Sequence, residues 1–202
     1  MSSVRGIQDS QPAIGRRAFV SRLVAALPDA LIVSGLGSAA YDVFAAGDRD
    51  TNYYLWGAMG GSTSLALGLA LAQPDKAVVV ITGDGEQLMG IGSLGTIGAK
   101  QPRNLTIVVL DNGHFGETGM QHSHTSLGTD LVAVARGFGL KDSFLVTDIG
   151  QCGSIVECVQ ARRGPSFAQV LIAPSEPPRT LPPRDGTYVK NRFRLALGLR
   201  PF

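Results

Sequence analysis

Two stretches of the sequence decide the fold: residues 77–85, AVVVITGDG, and residues 105–113, LTIVVLDNG. Each begins as an apolar run rich in β-branched residues, typical of a fully buried strand, and ends in a polar turn. The residues between them are numerous enough for a helix that crosses back over a sheet, so the two runs are predicted to be parallel neighbours. The carboxyl ends of such strands lie side by side, which brings the two turns together.

These turns carry Asp84 and Asn112, the strongest candidates for metal ligands. A carboxylate oxygen and an amide oxygen suit Mg²⁺, which also takes phosphate oxygens and water. Each residue taken alone has a structural explanation, because aspartate is a common helix N-cap and Asn-Gly is a common turn. Their combination at adjacent strand ends favours a metal site.

Apolar runs alternate with helical periodicity along the rest of the chain. Strands are predicted at residues 30–33, 53–55, 77–81, 105–110, 144–146 and 167–172. Helices are predicted at residues 16–27, 39–46, 62–72, 86–100, 131–138 and 148–162. This alternation predicts an α/β fold: a single three-layer domain whose parallel sheet is flanked by helices.

Composition divides the chain into three parts. Residues 1–15 form a polar lead that is expected to be flexible, and residues 16–173 form the domain. Residues 174–202 form a proline-rich and then basic tail. Prolines keep the first part of the tail extended. The tail is expected to cap the domain, to lie on a partner subunit or to be disordered.

Composition also bounds the function. A chain of 202 residues suits one domain with a core, and a net charge of +2 gives no reason to expect a nucleic-acid partner. Cys152 and Cys158 match neither a zinc pattern nor a disulfide framework, so we expect buried thiols in a reducing compartment. The first residues lack a signal core, and no apolar run is long enough to cross a membrane. These features predict a soluble cytoplasmic protein without a membrane partner.

A glycine-rich turn follows the first predicted strand, Ser34-Gly35-Leu36-Gly37-Ser38. A turn of this kind that enters a helix can bind phosphate, since its free N–H groups and the helix dipole both favour an anion. An ordinary tight turn is the alternative. The neighbouring polar turns favour the phosphate interpretation, because loops at the strand ends of one sheet gather at one edge.

The order strand, Gly83-Asp84-Gly85, helix, strand and Asp111-Asn112 resembles the diphosphate-binding motif of thiamine diphosphate enzymes. The usual motif ends in Asn-Asn, and Asp111 departs from it. The resemblance implies thiamine diphosphate and Mg²⁺ as cofactors, with the metal held by Asp84, Asn112 and the backbone carbonyl of His114. The cofactor-binding residues expected from the motifs and the resemblance together are Gly37, Ser38, Gly57, Met59, Gly83, Asp84, Gly85, Glu86, Gln87, Asn112, His114 and Phe115.

Some of these residues have specific expected roles. In the family, a large apolar residue props the cofactor in a V shape, and the resemblance puts Met59 there, with the Gly57 carbonyl facing the 4′-amino group. Glu86 and Gln87 are expected to offer backbone N–H groups to the diphosphate. An exposed first-turn glutamate is the alternative for Glu86.

The family activates its cofactor with a glutamate on a separate pyrimidine-binding domain, for which this chain has no room. The resemblance therefore implies a split enzyme, in which a second subunit supplies that domain and its glutamate. We expect an α2β2 or larger assembly, with this chain as the β-type subunit.

The stretch from Asp111 to Gln121 resembles the sulfopyruvate and phosphonopyruvate decarboxylase group. This resemblance implies decarboxylation of a small 2-oxo acid to an aldehyde and CO₂. His122 and His124 are candidate catalytic residues in the same loop, although histidines in glycine-rich loops are often inert. The alternatives are a carboligase or 2-oxo acid oxidoreductase subunit with the same cofactor, or a non-catalytic nucleotide-binding module.

Overall fold

A computed structural model describes residues 14–200 of the chain. Its strands are β1 (Leu31–Ser34), β2 (Asn52–Tyr54), β3 (Val78–Gly83), β4 (Leu105–Asp111), β5 (His114–Phe115), β6 (Gln121–His122), β7 (Asp142–Val146) and β8 (Ser166–Leu171). Its helices are α1 (Arg16–Ala25), α2 (Ser38–Ala45), α3 (Ser62–Ala72), α4 (Asp84–Met89), α5 (Ser93–Lys100), α6 (Leu131–Gly137), α7 (Cys152–Ala161) and α8 (Gly186–Ala196).

Six of the strands form one sheet in the order β2-β1-β3-β4-β8-β7, and every neighbouring pair is parallel. β3 and β4 lie at its centre, and their apolar side chains are buried on both faces. Successive side chains of a strand point to opposite faces. Val79 therefore packs in the layer of α1, α2 and α7, whereas Val80 packs in the layer of α3, α5 and α6. The predicted three-layer α/β fold is confirmed.

The helix predicted over residues 86–100 is wrong as a single element. α4 ends at Met89, and α5 begins at Ser93. The break lies where two backbones touch, because a Cβ added to Gly90 would lie 2.0 Å from the carbonyl oxygen of Gly60. The glycine-rich sequence thus allows a close backbone contact that a continuous helix with ordinary side chains would prevent.

Two other elements differ in detail from the prediction. The helix expected over 148–162 begins with a 3₁₀ turn, Ile149–Gln151, which the Asp148 side chain caps. The loop after β4 contains a short antiparallel hairpin in which His114 pairs with His122.

The C-terminal tail is ordered against the domain in the described residues, so the disordered alternative is wrong. Residues 174–185 contain no helix or strand, and α8 follows. Phe193 of α8 meets the ring of Tyr53 edge-on, with 5.5 Å between the centroids. Trp56 donates from Nε1 to the carbonyl oxygen of Pro183 at 2.9 Å. The tail therefore covers the β2 edge of the sheet.

Of the predicted flexible lead, residues 1–13 lie outside the described residues. Ile14 forms a parallel bridge with Ile172, at the end of β8. Cys152 and Cys158 are free and buried, as predicted. Within residues 14–200, no helix is both long enough and apolar enough to cross a membrane.

A glycine exchange in α5 tests how tightly the helices pack. A Cβ added to Gly98 would lie 1.7 Å from the carbonyl oxygen of Phe138. Gly98→Ala is therefore expected to lower the free energy of unfolding by about 1–3 kcal/mol, as overpacked substitutions do. Denaturant unfolding monitored by circular dichroism measures this change.

The matched control is Gly68→Ala in α3, where an added Cβ meets nothing within 4 Å. This variant is expected to gain about 0.5–1 kcal/mol from helix propensity alone. Equal stability of the two variants would contradict the packing described here.

Candidate functional site

The site lies where β3 and β4 end. Their parallel register pairs Gly83 with Leu110, so the next residues of both strands emerge together at one edge of the sheet. Asp84 begins α4 and is 3% exposed, and Asp111 ends β4 and is also buried. The Thr125 hydroxyl joins them, with its oxygen 2.8 Å from Oδ1 of Asp111 and 3.3 Å from Oδ2 of Asp84.

Hydroxyl groups of the loop after β6 hold the Asp84 carboxylate. The buried Ser123 hydroxyl donates to Oδ2 of Asp84, and Thr125 lies 2.8 Å from Ser123 Oγ. Sequence reasoning missed both residues. The hydroxyl-rich run Ser123 to Ser126 shortly after the second turn was the available signal.

Asp111 supports the turn and does not line the cavity. Its Oδ1 accepts from the backbone N–H of Gly113 at 2.9 Å, and its Oδ2 accepts from Nε2 of Gln169 at 2.6 Å. Gln169 lies on β8, the strand adjacent to β4. The departure from the usual Asn-Asn therefore places an additional carboxylate behind the site, where neighbouring donors satisfy it.

Burial raises the pKa of Asp84 to about 6. This value already includes two smaller effects: the hydrogen bond from Ser123 lowers the pKa, and the nearby charge of Asp111 raises it. A carboxylate with this environment is costly to ionise unless a cation compensates it. The electrostatics of the site are thus suited to a positive ligand.

Asn112 and His114 form a tight turn directly after β4. Oδ1 of Asn112 accepts from the backbone N–H of His114 at 3.0 Å, and Nδ1 of His114 lies 2.7 Å from the carbonyl oxygen of Asn112. An Asx turn of this kind fixes the direction of the amide side chain.

A cavity of about 170 Å³ opens between these walls. Nine of the twelve predicted cofactor-binding residues line it: Ser38, Met59, Gly83, Asp84, Gly85, Glu86, Asn112, His114 and Phe115. Leu36, Leu110 and Ile172 make part of its wall apolar.

The other three residues predicted to bind cofactor do not line this cavity. Gly37 precedes Ser38 as the N-cap of α2 with φ 75°, and Gly57 also has a positive φ, 72°. The Gln87 side chain is buried and accepts from Thr63 at 2.9 Å. A backbone role for Gln87 remains a prediction.

The predicted catalytic histidines also lie outside the cavity lining. His122 is exposed, but its ring lies 4.8 Å from that of His114, and its Nδ1 is 3.2 Å from Ser126 Oγ. His124 is exposed and meets Phe115 edge-on at 6.1 Å. Both histidines therefore lie next to residues that line the cavity but do not line it themselves.

The Glu86 side chain has an unexpected position. It is 3% exposed, so the alternative of an exposed first-turn glutamate is wrong. Its Oε2 accepts from the backbone N–H of Leu36 at 2.9 Å, whereas its Oε1 is buried without a partner among the described residues. A Cβ on Gly35 would lie 1.8 Å from Oε2, so the glycine turn after β1 is shaped to admit this carboxylate.

The donors around the cavity fit a metal and a phosphorylated cofactor. Asp84, Asn112 and His114 line one cavity and bring a carboxylate, an amide and a backbone carbonyl. Across residues 14–200, no three His, Cys, Asp or Glu side chains are grouped as a metal site. A carboxylate, an amide oxygen and a backbone carbonyl together suit Mg²⁺, which takes few protein carboxylates and completes its shell with phosphates and water.

Comparison with solved structures supports the observed fold. Benzoylformate decarboxylase from Polynucleobacter necessarius superposes with a TM-score of 0.67 at 21% identity, over 88% of this chain and 36% of that chain. At that identity the likeness establishes the fold. It agrees with the class predicted from the two turns.

The family model "Thiamine pyrophosphate enzyme, C-terminal TPP binding domain" matches residues 36–170, and the chain belongs to this family. It is 33% identical over 185 residues to sulfopyruvate decarboxylase subunit beta of Methanococcus maripaludis, covering 90% of this chain and 97% of the relative. It is 39% identical over 160 residues to phosphonopyruvate decarboxylase of Streptomyces viridochromogenes, covering 79% of this chain. The chain spans only 40% of the latter protein. The predicted family is confirmed, which argues against the alternative of a non-catalytic nucleotide-binding module.

Asp84→Asn tests the buried charge in protein freed of metal and cofactor by a chelator. The raised pKa means that folding favours the protonated carboxyl, so wild-type stability declines as pH rises from about 4 to about 6. Above that window the full cost, about 3 kcal/mol, is present. The asparagine variant lacks this titration, so its stability relative to wild type should increase across the window.

The measurement is denaturant unfolding at several pH values between 4 and 7.5. Glu157→Gln is the control, since Glu157 is exposed on α7 and makes no side-chain hydrogen bond among the described residues. A difference between Asp84→Asn and wild type that stays constant over this range would contradict the account of Asp84.

Proposed function

We propose that the chain is the β-type subunit of a thiamine diphosphate- and Mg²⁺-dependent decarboxylase that converts a small 2-oxo acid to an aldehyde and CO₂. The observation that carries this proposal is the convergence of Asp84, Asn112 and His114 on one cavity. The names of the two relatives support decarboxylation, and they indicate a sulfonate- or phosphonate-bearing 2-oxo acid.

Mg²⁺ would be held by the Asp84 carboxylate, the side-chain oxygen of Asn112 and the backbone carbonyl of His114. Cofactor phosphate oxygens and water would complete its shell. A cation beside Asp84 would remove the penalty that now raises its pKa. Ser123 and Thr125 would keep the carboxylate oriented, because the Ser123 hydroxyl donates to it and the Thr125 hydroxyl oxygen lies 3.3 Å from the same carboxylate oxygen.

The cofactor would lie along the cavity wall. Backbone groups at Gly37 and Ser38, and at Gly83 to Gln87, would face its diphosphate, as helix starts favour anions. Met59, which is 38% exposed at the cavity, would support its rings, with Gly57 offering a carbonyl and Phe115 contributing apolar surface.

When bound, the cofactor supplies the electron sink that decarboxylation of a 2-oxo acid requires. The chain would position it and exclude water, a role supported by the apolar wall at Leu36, Leu110 and Ile172. The catalytic role proposed for His122 and His124 requires a partner subunit to pack against their loop, because neither ring lines the cavity.

A second subunit would supply the pyrimidine-binding domain and the activating glutamate. Glu86 is unsuited to that role, since its Oε2 is committed to the Leu36 amide. The split is supported by the relative named as a beta subunit, of which this chain covers 97%. We propose an α2β2 or larger assembly. The free, buried thiols support a cytoplasmic location.

Calorimetric titration with thiamine diphosphate tests this function, using the full chain purified together with any subunit that accompanies it. Binding is expected to require Mg²⁺, and Asp84→Ala should weaken it by roughly a hundredfold or more, because the metal loses its anionic ligand. The exposed-site control Glu157→Ala should bind like wild type.

Activity is then measured as CO₂ released from sulfopyruvate, phosphonopyruvate and pyruvate. Release from one of the first two, dependent on thiamine diphosphate, would support the proposed substrate class. Cofactor binding that is unchanged by chelator or by Asp84→Ala would contradict the proposed metal ligands.

A further inference from the structure

We infer that Arg16 is an anion-binding residue of the cavity and that its ligand is the diphosphate group of the cofactor. This inference rests on the proposed function. Arg16 lies far from both polar turns in sequence, at the first position of α1, and no motif marks it. It nevertheless lines the same cavity as Ser38, Asp84 and Asn112.

The burial and hydrogen bonding of Arg16 leave its terminal donors available for an anion. The residue is 5% exposed, and its Nε donates to Oδ2 of Asp42. Its two terminal nitrogens make no hydrogen bond to any described residue. A guanidinium has five N–H donors, and buried donors are normally satisfied. Because Arg16 lines the cavity, its unmatched terminal donors are available to a ligand there.

The charges around Arg16 lead to the same conclusion. Asp42 is fully buried and also accepts from Nε of Arg17 at 2.9 Å. Two guanidiniums share one carboxylate, so the cluster carries one uncompensated positive charge. Arg17 does not line the cavity; its side chain is 29% exposed, and its Nη2 is buried without a partner among the described residues. Arg16 is 5% exposed and lines the cavity, so its share of the excess positive charge lies next to the cavity.

The cavity needs such a cation if a diphosphate is to enter. The other charged side chains that line it are three carboxylates, those of Asp84, Glu86 and Glu117. Arg16 is the one lysine or arginine in the lining, among the residues described. A bound Mg²⁺ would offset only part of the negative charge that a diphosphate adds to those carboxylates. A guanidinium can donate two parallel hydrogen bonds to phosphate oxygens, which suits it to this role.

The position of Arg16 favours the diphosphate over a substrate acid group. Asp42 follows Ser38 by four residues in α2, so the two lie on the same side of that helix. The Asp42 bond thus fixes Arg16 beside the first turn of α2, where Ser38 and Ala39 also line the cavity. Backbone N–H groups at the start of α2 favour an anion at the same place. Two independent features therefore converge on one phosphate position.

The test is titration of inorganic pyrophosphate with Mg²⁺ into the full chain, co-purified with any partner subunit, followed by calorimetry. Arg16→Gln is expected to weaken pyrophosphate binding about ten- to hundredfold, the loss of charge-assisted hydrogen bonds. Arg17→Gln is the matched control, because it also breaks a bond to Asp42 but leaves the cavity wall intact. It should bind within about threefold of wild type.

Arg16→Lys keeps the charge but lacks the planar fork, so intermediate binding is expected. It also replaces Arg16→Gln as the decisive variant if the latter does not fold, with thermal unfolding measured for each protein. Equal losses in the Arg16 and Arg17 variants would show that the cluster acts only on structure and would overturn the inference. Unchanged pyrophosphate binding in the Arg16 variants would overturn the inference as well. This holds even if those variants have a raised KM for the 2-oxo acid.

The two proposals fail in different ways. If wild type binds neither pyrophosphate nor thiamine diphosphate in the presence of Mg²⁺, the proposed function is wrong and the Arg16 inference fails with it. If wild type binds both and the Arg16 variants do too, only the Arg16 inference is wrong.

Discussion

The rest of the site depends on the parallel register of β3 and β4, which forces two buried carboxylates toward each other. Asp84 and Asp111 emerge at adjacent strand ends and share the hydroxyl of Thr125. Burial makes the charged form of Asp84 unfavourable and raises its pKa, and the nearby charge of Asp111 adds to this effect. The loop after β6 is held in place because its hydroxyls reduce the cost. The negative potential that remains would favour a cation, as the proposed metal site requires.

The central part of this arrangement could be predicted from sequence because it is local. A buried parallel strand has a recognisable composition, and a polar turn directly after it must lie at the sheet edge. Asp84, Asn112 and the surrounding glycines were found in this way. The fold class follows from the alternation of elements, and the family follows from the resemblance of the two turns to a known motif.

The remaining features could not be predicted, since they depend on contacts between distant segments with no periodicity. Gln169 reaches Asp111 across 58 positions, and Arg16 reaches Asp42 across 26. Glu86 is placed by a glycine turn 50 residues earlier. The break between α4 and α5 depends on Gly60, in a different loop. In each case the residue type was visible in the sequence, but its partner was set by the packing of the layers.

The contact between Gly60 and Gly90 joins two segments that line the cavity at Met59 and Met89. Met59 directly precedes one of these glycines, and α4, which begins at Asp84, ends just before the other. The wall that would support the cofactor rings and the helix that would hold its metal therefore meet through the main chains of Gly60 and Gly90. Main-chain atoms keep their size when side chains mutate. A side chain at Gly90 would collide with the carbonyl oxygen of Gly60, so this pair of glycines lets the two segments lie in close contact.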